Sequence, residues 1–166
     1  MTFPNATTDH SWYDLFAGSL SIERNSLDYK QYPISGRKQF LVAQYVTGTE
    51  KYMPSPITDM GSFDRKVHSW LQMKGEWEQY KTISPYFNLG FMSELVLSSK
   101  NLMNNYTASV LQAPAFTPTP HSQIVFNEAF RANQYVAFGL SPILKFSKLL
   151  HFRLDMYGFA PLYEIK

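Results

Sequence analysis

The chain has 166 residues, the size of one ordinary domain. Aromatic residues make up 16% of it and charged residues only 17%, against a usual charged share of about 25%, and this bias is typical of β-proteins and of outer-membrane barrels with aromatic girdles. A net charge of +2 gives no reason to expect a nucleic-acid partner, and the absence of Cys excludes disulfides and thiolate chemistry.

The N-terminal stretch MTFPNATTDHSWYDLF has neither a basic start nor an apolar core, so it is not a signal peptide. An exported protein would carry its export signal on sequence outside this chain. No run of 18 or more apolar residues occurs, which excludes a transmembrane helix. Residues 1–13 are therefore interpreted as a lead-in, and residues 14–166 as the domain.

Alternation of apolar and polar residues is the main signal along the domain, and it predicts β-strands. The first alternating segment covers residues 16–23. Five further runs exceed ten residues each, at 37–52, 67–83, 86–98, 133–145 and 148–160. Residues 124–131 are a candidate for one more strand. Strands in water-soluble proteins usually have about 5–6 residues, whereas a tilted membrane strand needs about 9–11.

The connections alternate between short and long. Short turns are predicted at 33–36, 84–86 and near 146, and long loops at about 53–66 and 99–123, the second with at most a short helix near 98–111. Outer-membrane barrels have short turns at one rim and long loops at the other. The sequence thus predicts an all-β fold, an antiparallel meander of six to seven long strands. Because the smallest bacterial single-chain barrels have 8 strands, this meander would be part of a transmembrane β-barrel.

Several stretches carry a resemblance to a known family, namely NSLDYKQYPISGRKQFLVAQYVTGTEKYMPS, FRANQYVAFGLSPIL and LLHFRLDMYGFAPLYEIK. In their order they resemble the C-terminal barrel region of Bacteroides-type patatin-like phospholipases, which is similar to bacterial surface antigen barrels. The resemblance implies a periplasmic turn from Pro33 to Gly36 and a location in the bacterial outer membrane. It also implies a truncated piece, since the final strands and the hydrolase domain of such proteins are lacking.

A patatin-type hydrolase needs a Gly-x-Ser-x-Gly elbow to hold its nucleophile, and none occurs. We therefore expect no enzyme activity from this chain, although the parent protein would be a lipid acyl hydrolase. The four His residues, at 10, 68, 121 and 151, show no metal-ligand spacing, so no metal or cofactor is expected. The expected role is to anchor, and to help translocate or display, a patatin-like phospholipase domain.

The alternation also assigns side chains to two faces. The apolar set predicted to face lipid is Leu20, Ile22, Leu71, Met73, Leu89, Phe91, Leu150, Phe152 and Leu154. The polar set predicted to face the barrel lumen is Lys74, Glu76, Glu94, Arg131, His151, Arg153 and Asp155. Within this set, the resemblance suggests that Arg131 anchors a long loop that folds back into the lumen. The expected partners are membrane lipid and either the remainder of a parent barrel or other copies of the chain.

A soluble lipocalin-like or β-sandwich domain that binds an apolar ligand remains the alternative. In that fold the apolar side chains would point inward and the charged ones outward. Alternation defines two faces but does not say which of them is inside.

Overall fold

The computed structural model describes residues 10–54, 64–104, 106–147 and 150–163. Within them lie seven strands, β1 (His10–Asn25), β2 (Gly36–Met53), β3 (Asp64–Ser84), β4 (Phe87–Ser98), β5 (Gln134–Lys145), β6 (His151–Arg153) and β7 (Met156–Tyr163). One α-helix, α1 (Tyr106–Leu111), and a 3₁₀ turn (Glu128–Phe130) complete the secondary structure of these ranges. No helix in the described part of the chain is long and apolar enough to cross a membrane.

All seven strands belong to one antiparallel sheet in meander order. Each strand from β1 to β5 pairs with the next one along the chain, and β7 also pairs with β5. The prediction of an all-β antiparallel meander is therefore confirmed. The sheet is not closed into a barrel. The first strand starts at His10, inside the stretch interpreted as a lead-in.

The run predicted as one strand over 148–160 is divided into β6 and β7. Pro142 of β5 explains the division. Its carbonyl oxygen accepts from Leu154 N–H at 3.1 Å, so its nitrogen also points toward the β6/β7 side of the sheet. Because proline has no N–H, the ladder lacks a donor there and is interrupted at Leu154 and Asp155.

The β1–β2 turn, residues 26–35, leads into β2 at a glycine with a positive φ. Gly36 has a φ of +102°, and a Cβ on it would lie 2.1 Å from the carbonyl oxygen of Ser26. Asp28 organises the rest of the turn by accepting backbone N–H groups from Tyr29, Ile34 and Ser35 at 3.0–3.2 Å. Burial tends to raise the pKa of Asp28, but these three donors outweigh it and hold the pKa below its ordinary value.

The sheet is strongly curved. In a flat sheet β2 and β6 would lie about 19 Å apart, four strand spacings. Yet Arg153 of β6 donates to the carbonyl oxygen of Pro33, three residues before β2, at 2.8 Å. The sheet therefore curls, and the β1–β2 turn folds over its concave face, where Pro33 is buried.

The concave face is covered in part by the long segment between β4 and β5, residues 99–133. Phe116 of this segment packs against the rings of Tyr135, Tyr157 and Phe159, at centroid distances of 6.0–6.4 Å. Nearer β1 and β2, Met103 packs with Val46 and Trp70. These two clusters form the buried apolar core, and both lie on the concave side.

Candidate functional site

The convex face of the sheet is apolar and exposed. Strand pairing aligns Leu20, Ala43, Met73 and Leu97 in one row across β1 to β4. The predicted apolar residues of different strands therefore share this face. Leu20 is 74% exposed and Ile22 67%. The other predicted members that are more than one-third exposed are Leu71, Met73, Phe91, Leu150, Phe152 and Leu154. Leu89 is half-buried, and Leu150 and Leu154 lie outside the strands, on either side of β6.

A chain of ion pairs crosses the middle of the concave face. Lys38 of β2 contacts Glu76 of β3 at 2.9 Å, and Lys74 of β3 contacts Glu76 at 2.8 Å. Lys74 also contacts Glu94 of β4 at 3.1 Å, and the Tyr135 hydroxyl on β5 donates to Glu94. Three adjacent strands are thus joined by charged side chains and a fourth by the Tyr135 hydroxyl, and Glu94 is only 5% exposed. The predicted polar residues Lys74, Glu76 and Glu94 come together here.

At the end of the sheet with the β1–β2 and β3–β4 turns, Arg153 is the centre of a second polar cluster. Its guanidinium donates to Asp155 at 2.7 Å, to the Tyr80 hydroxyl at 2.9 Å and to the Pro33 carbonyl at 2.8 Å. Asp155 also accepts from the Ser141 hydroxyl at 2.5 Å. Arg153 and Asp155, both predicted to lie on the polar face, therefore form a direct ion pair. Its additional link to the β1–β2 turn has no signal in the sequence, because the two positions are 120 residues apart.

His151 and Arg131 lie apart from these charges. His151 is exposed at the end of β6 opposite Lys145, so it does not enter the concave cluster. Arg131 donates to the carbonyl oxygens of Leu111 and Ala113 at 2.9 Å each and stacks on Phe126 at 4.8 Å. It therefore holds the end of α1 within the long segment itself.

A third polar cluster lies at the opposite end of the sheet, around Glu50 of β2, which is fully buried. Its carboxylate is 2.7 Å from His68 Nε2 on β3 and accepts the Tyr13 hydroxyl of β1 at 3.1 Å. It also accepts the backbone N–H of Asn104 at 3.1 Å, which holds the long segment against the sheet. The sequence analysis missed this cluster. The available signal was the charge of Glu50, because Gln44, Val46 and Gly48, which precede it on the same face of β2, are uncharged.

On the same side of the sheet Lys100 is buried, and among the described residues its ammonium group has no hydrogen-bond partner. The Nζ atom lies 5.4 Å from the centre of the Trp70 ring, a cation–π contact. Burial lowers the pKa of Lys100 to about 8. The buried charge of Lys100 therefore destabilises the folded state.

Between the ion-pair chain and the Arg153 cluster lies a polar cavity of about 390 Å³. It is lined by residues of every strand from β2 to β7, by the β1–β2 turn and by residues of the long segment between 117 and 123. In the described ranges no three His, Asp or Glu side chains are arranged to hold a metal ion. The arrangement is a polar, charged interior behind an apolar outer surface.

No known protein family, no curated protein and no solved structure matches the chain. The class of protein that the fold and site define is an open, curved antiparallel β-sheet with an apolar convex face and an ionic concave face.

Proposed function

We propose that this chain is a segment of a β-barrel in the bacterial outer membrane. Its convex face would contact lipid, and its charged concave face, with the folded-in long segment, would fill the lumen. The observation that carries the proposal is that the apolar face of the strands is exposed while the charged face is buried. Leu20 is 74% exposed and Phe138 55%, while Glu94 and Glu50 on the other face are 5% and 0% exposed. A barrel in lipid has this arrangement.

Strand length supports the proposal. The strands β1, β2 and β3 have 16, 18 and 21 residues, and β4 and β5 have 12 each. All five exceed the length of about 9–11 residues that a tilted strand needs to cross the hydrocarbon region. The connection after β3, residues 85–86, and the connection after β4, residues 99–133, lie at opposite ends of the sheet and differ greatly in length, as in barrels with unequal rims. The connections after β1 and β2, residues 26–35 and 54–63, are equal in length, so the predicted alternation of short turns and long loops is wrong for this pair.

An open sheet cannot face lipid along its edges, because unpaired backbone groups cost several kcal/mol each in hydrocarbon. Within this proposal, further strands complete the barrel, either from the remainder of a parent barrel or from other copies of the chain. A role as the anchor of a patatin-like phospholipase domain, helping to translocate or display it, rests on the family resemblance alone.

The soluble lipocalin-like or sandwich alternative requires the apolar parity to point inward. The exposed positions of Leu20, Ile22 and Phe138 support the membrane reading over this one. The interior polar cavity of about 390 Å³ has four charged strand residues on its walls from β3 and β4 alone, Lys74, Glu76, Glu78 and Glu94, which does not suit an apolar ligand.

Flotation with lipid vesicles tests the proposal. The chain is refolded with vesicles of bacterial phospholipid and centrifuged through a density gradient, with a carbonate wash to remove loosely bound protein. We expect the chain to float with the vesicles and to require detergent for extraction. A monomeric chain that stays in solution without detergent would overturn the proposal.

A further inference from the structure

The outer edge of β1 is one of the two edges of the sheet, and nearly all residues of β1 are exposed. All 16 residues of β1 pair with β2 without a bulge, and within the described residues no strand pairs with its other side. The N–H of Ser26, the next residue, donates to the carbonyl oxygen of Arg37 at 2.8 Å. Because hydrogen-bonding direction alternates along an antiparallel pair, the odd-numbered residues of β1 point their N–H and C=O groups toward the free edge.

The middle of this edge lacks the features by which proteins usually block further pairing, which are charges, prolines and bulges. From Leu15 to Ile22 there is no charged residue and no proline. The other edge of the sheet differs, since it is interrupted between β6 and β7 and contains Pro161. The edge of β1 is thus the better site for adding a strand.

The residues of β1 are also complementary to β1 itself. Apart from His10, the ionisable residues of β1 on the convex face are Asp14 and Arg24. They lie five positions before and five positions after Ser19. If two β1 strands pair antiparallel about a twofold axis at Ser19, Asp14 of each copy lies opposite Arg24 of the other. The same register places Phe16 opposite Ile22. Moving the axis by one residue in either direction separates the two charges.

We propose that two copies of this chain associate through antiparallel pairing of their β1 strands, centred on Ser19. The twofold axis runs perpendicular to the sheet, so both apolar convex faces stay on one side and both ionic concave faces on the other. This inference rests on the proposed function, because lipid is the environment in which an unpaired edge is least tolerated. It selects a second copy of the chain as the occupant of this edge.

Single-cysteine variants test the pairing directly, since the chain contains no native Cys. Nitroxide labels are placed at Ser19→Cys, Ser21→Cys and Glu23→Cys, and distances between copies are measured by electron paramagnetic resonance in detergent. With the axis at Ser19, the backbone separations are about 5, 14 and 27 Å from the strand spacing and rise per residue. Contact at position 19 with increasing distances at 21 and 23 supports the proposal.

Absence of contact between labels at position 19 would overturn it, whether the edge is then free, covered by another strand of the same chain or paired with a different protein. A minimum at another position would equally overturn the stated register. The measurement is repeated with and without detergent. A chain that floats with vesicles but shows no contact at position 19 refutes the pairing alone, whereas a soluble chain with contact there refutes only the membrane proposal.

A charge exchange gives a second test. Asp14→Arg brings two arginines together at each of the two symmetric positions, and we expect dimerisation to weaken about tenfold. The double variant with Asp14→Arg and Arg24→Asp restores the opposite charges between copies and should recover the original affinity. Both variants lose the contact of Asp14 with Lys51 within the chain, at 3.6 Å, so recovery isolates the contact between copies. Equal dimerisation of all three proteins would contradict the proposal.

Discussion

The guanidinium of Arg153 donates a hydrogen bond of 2.8 Å to the carbonyl oxygen of Pro33, joining the last part of the sheet to its first turn. A second bond supports the same turn, from the Asn88 side-chain amide to the Ile34 carbonyl at 2.7 Å. The two donors lie on β6 and β4, on the concave face. They hold the β1–β2 turn over one end of the curved sheet and so help to fix its curvature.

Replacing Arg153 should therefore loosen this end of the sheet. Arg153→Met leaves Asp155 without its ion-pair partner and removes the bond to Pro33, and we expect a loss of roughly 2–4 kcal/mol in the free energy of unfolding. Arg153→Lys keeps the charge but loses the planar fork of donors, so its loss should be smaller. Urea titration in detergent micelles, followed by tryptophan fluorescence, measures both. Wild-type stability of Arg153→Met would show that the link contributes nothing.

Gly36 should be required for the β1–β2 turn. In Gly36→Ala the added methyl carbon would lie 2.1 Å from the carbonyl oxygen of Ser26, at a residue whose φ is +102°. We expect a loss of about 1–3 kcal/mol from backbone strain. Gly18→Ala is the matched control, because a Cβ at Gly18 meets nothing within 4 Å. Equal unfolding midpoints for the two variants would contradict the described turn.

Glu50 should hold the long segment against the sheet. Glu50→Gln keeps the shape of the side chain but removes the charge that faces His68 and the Asn104 N–H, and a charge-assisted hydrogen bond contributes about 1.5–3 kcal/mol. Hydrogen exchange at residues 100–104 should become faster in this variant. Glu23→Gln is the control, because Glu23 is an exposed residue of β1 on the same concave face of the sheet. It should leave hydrogen exchange at residues 100–104 unchanged. Unchanged protection in Glu50→Gln would disprove this role.

Lys100 predicts a pH dependence of stability. Its folded pKa of about 8 lies below its ordinary value of 10.5, so between these values the unfolded chain binds more protons. The electrostatic cost is fully present below pH 8 and disappears as the pH rises toward 10.5. Lys100→Met removes this cost and should stabilise the fold at pH 7 by roughly 1–3 kcal/mol. The stability difference between the variant and the wild type should shrink from pH 8 to pH 10.5, and a constant difference would refute the assignment.

The alternation of residues in the sequence was sufficient to predict the five long strands β1 to β5 and the antiparallel meander. It did not predict the division of 148–160 into β6 and β7, and the candidate strand at 124–131 contains the 3₁₀ turn Glu128–Phe130 instead. Lys74, Glu76 and Glu94 were grouped correctly by parity, because parity alone fixes the face of a strand residue. Contacts between distant strands could not be predicted this way. The bond from Arg153 to Pro33 depends on sheet curvature, and the cluster at Glu50 depends on the path of the long segment. The role that the resemblance gives Arg131, as the anchor of a long loop folded back into the lumen, stays a prediction, and its described bonds go to Leu111 and Ala113 of the long segment.

The apolar face gives a direct test by substitution. Met73→Arg places a charge on the convex face of β3, and a basic residue at the midplane of a lipid-facing surface costs about 2–4 kcal/mol. Gln72→Arg adds the same residue at the neighbouring position on the concave face and should cost little. Folding yield into vesicles, read from the heat-modified mobility of the folded chain on a gel, compares the two. Similar yields would contradict the assignment of the faces.

The most direct test of the membrane proposal is quenching by brominated lipid along β3. Single cysteines at positions 70 to 75 are labelled with a fluorophore in chain reconstituted into vesicles with and without bromine on the acyl chains. The proposal predicts strong quenching at positions 71, 73 and 75 and weak quenching at positions 70, 72 and 74. Uniform quenching, no quenching, or the opposite alternation would contradict a convex face in contact with lipid.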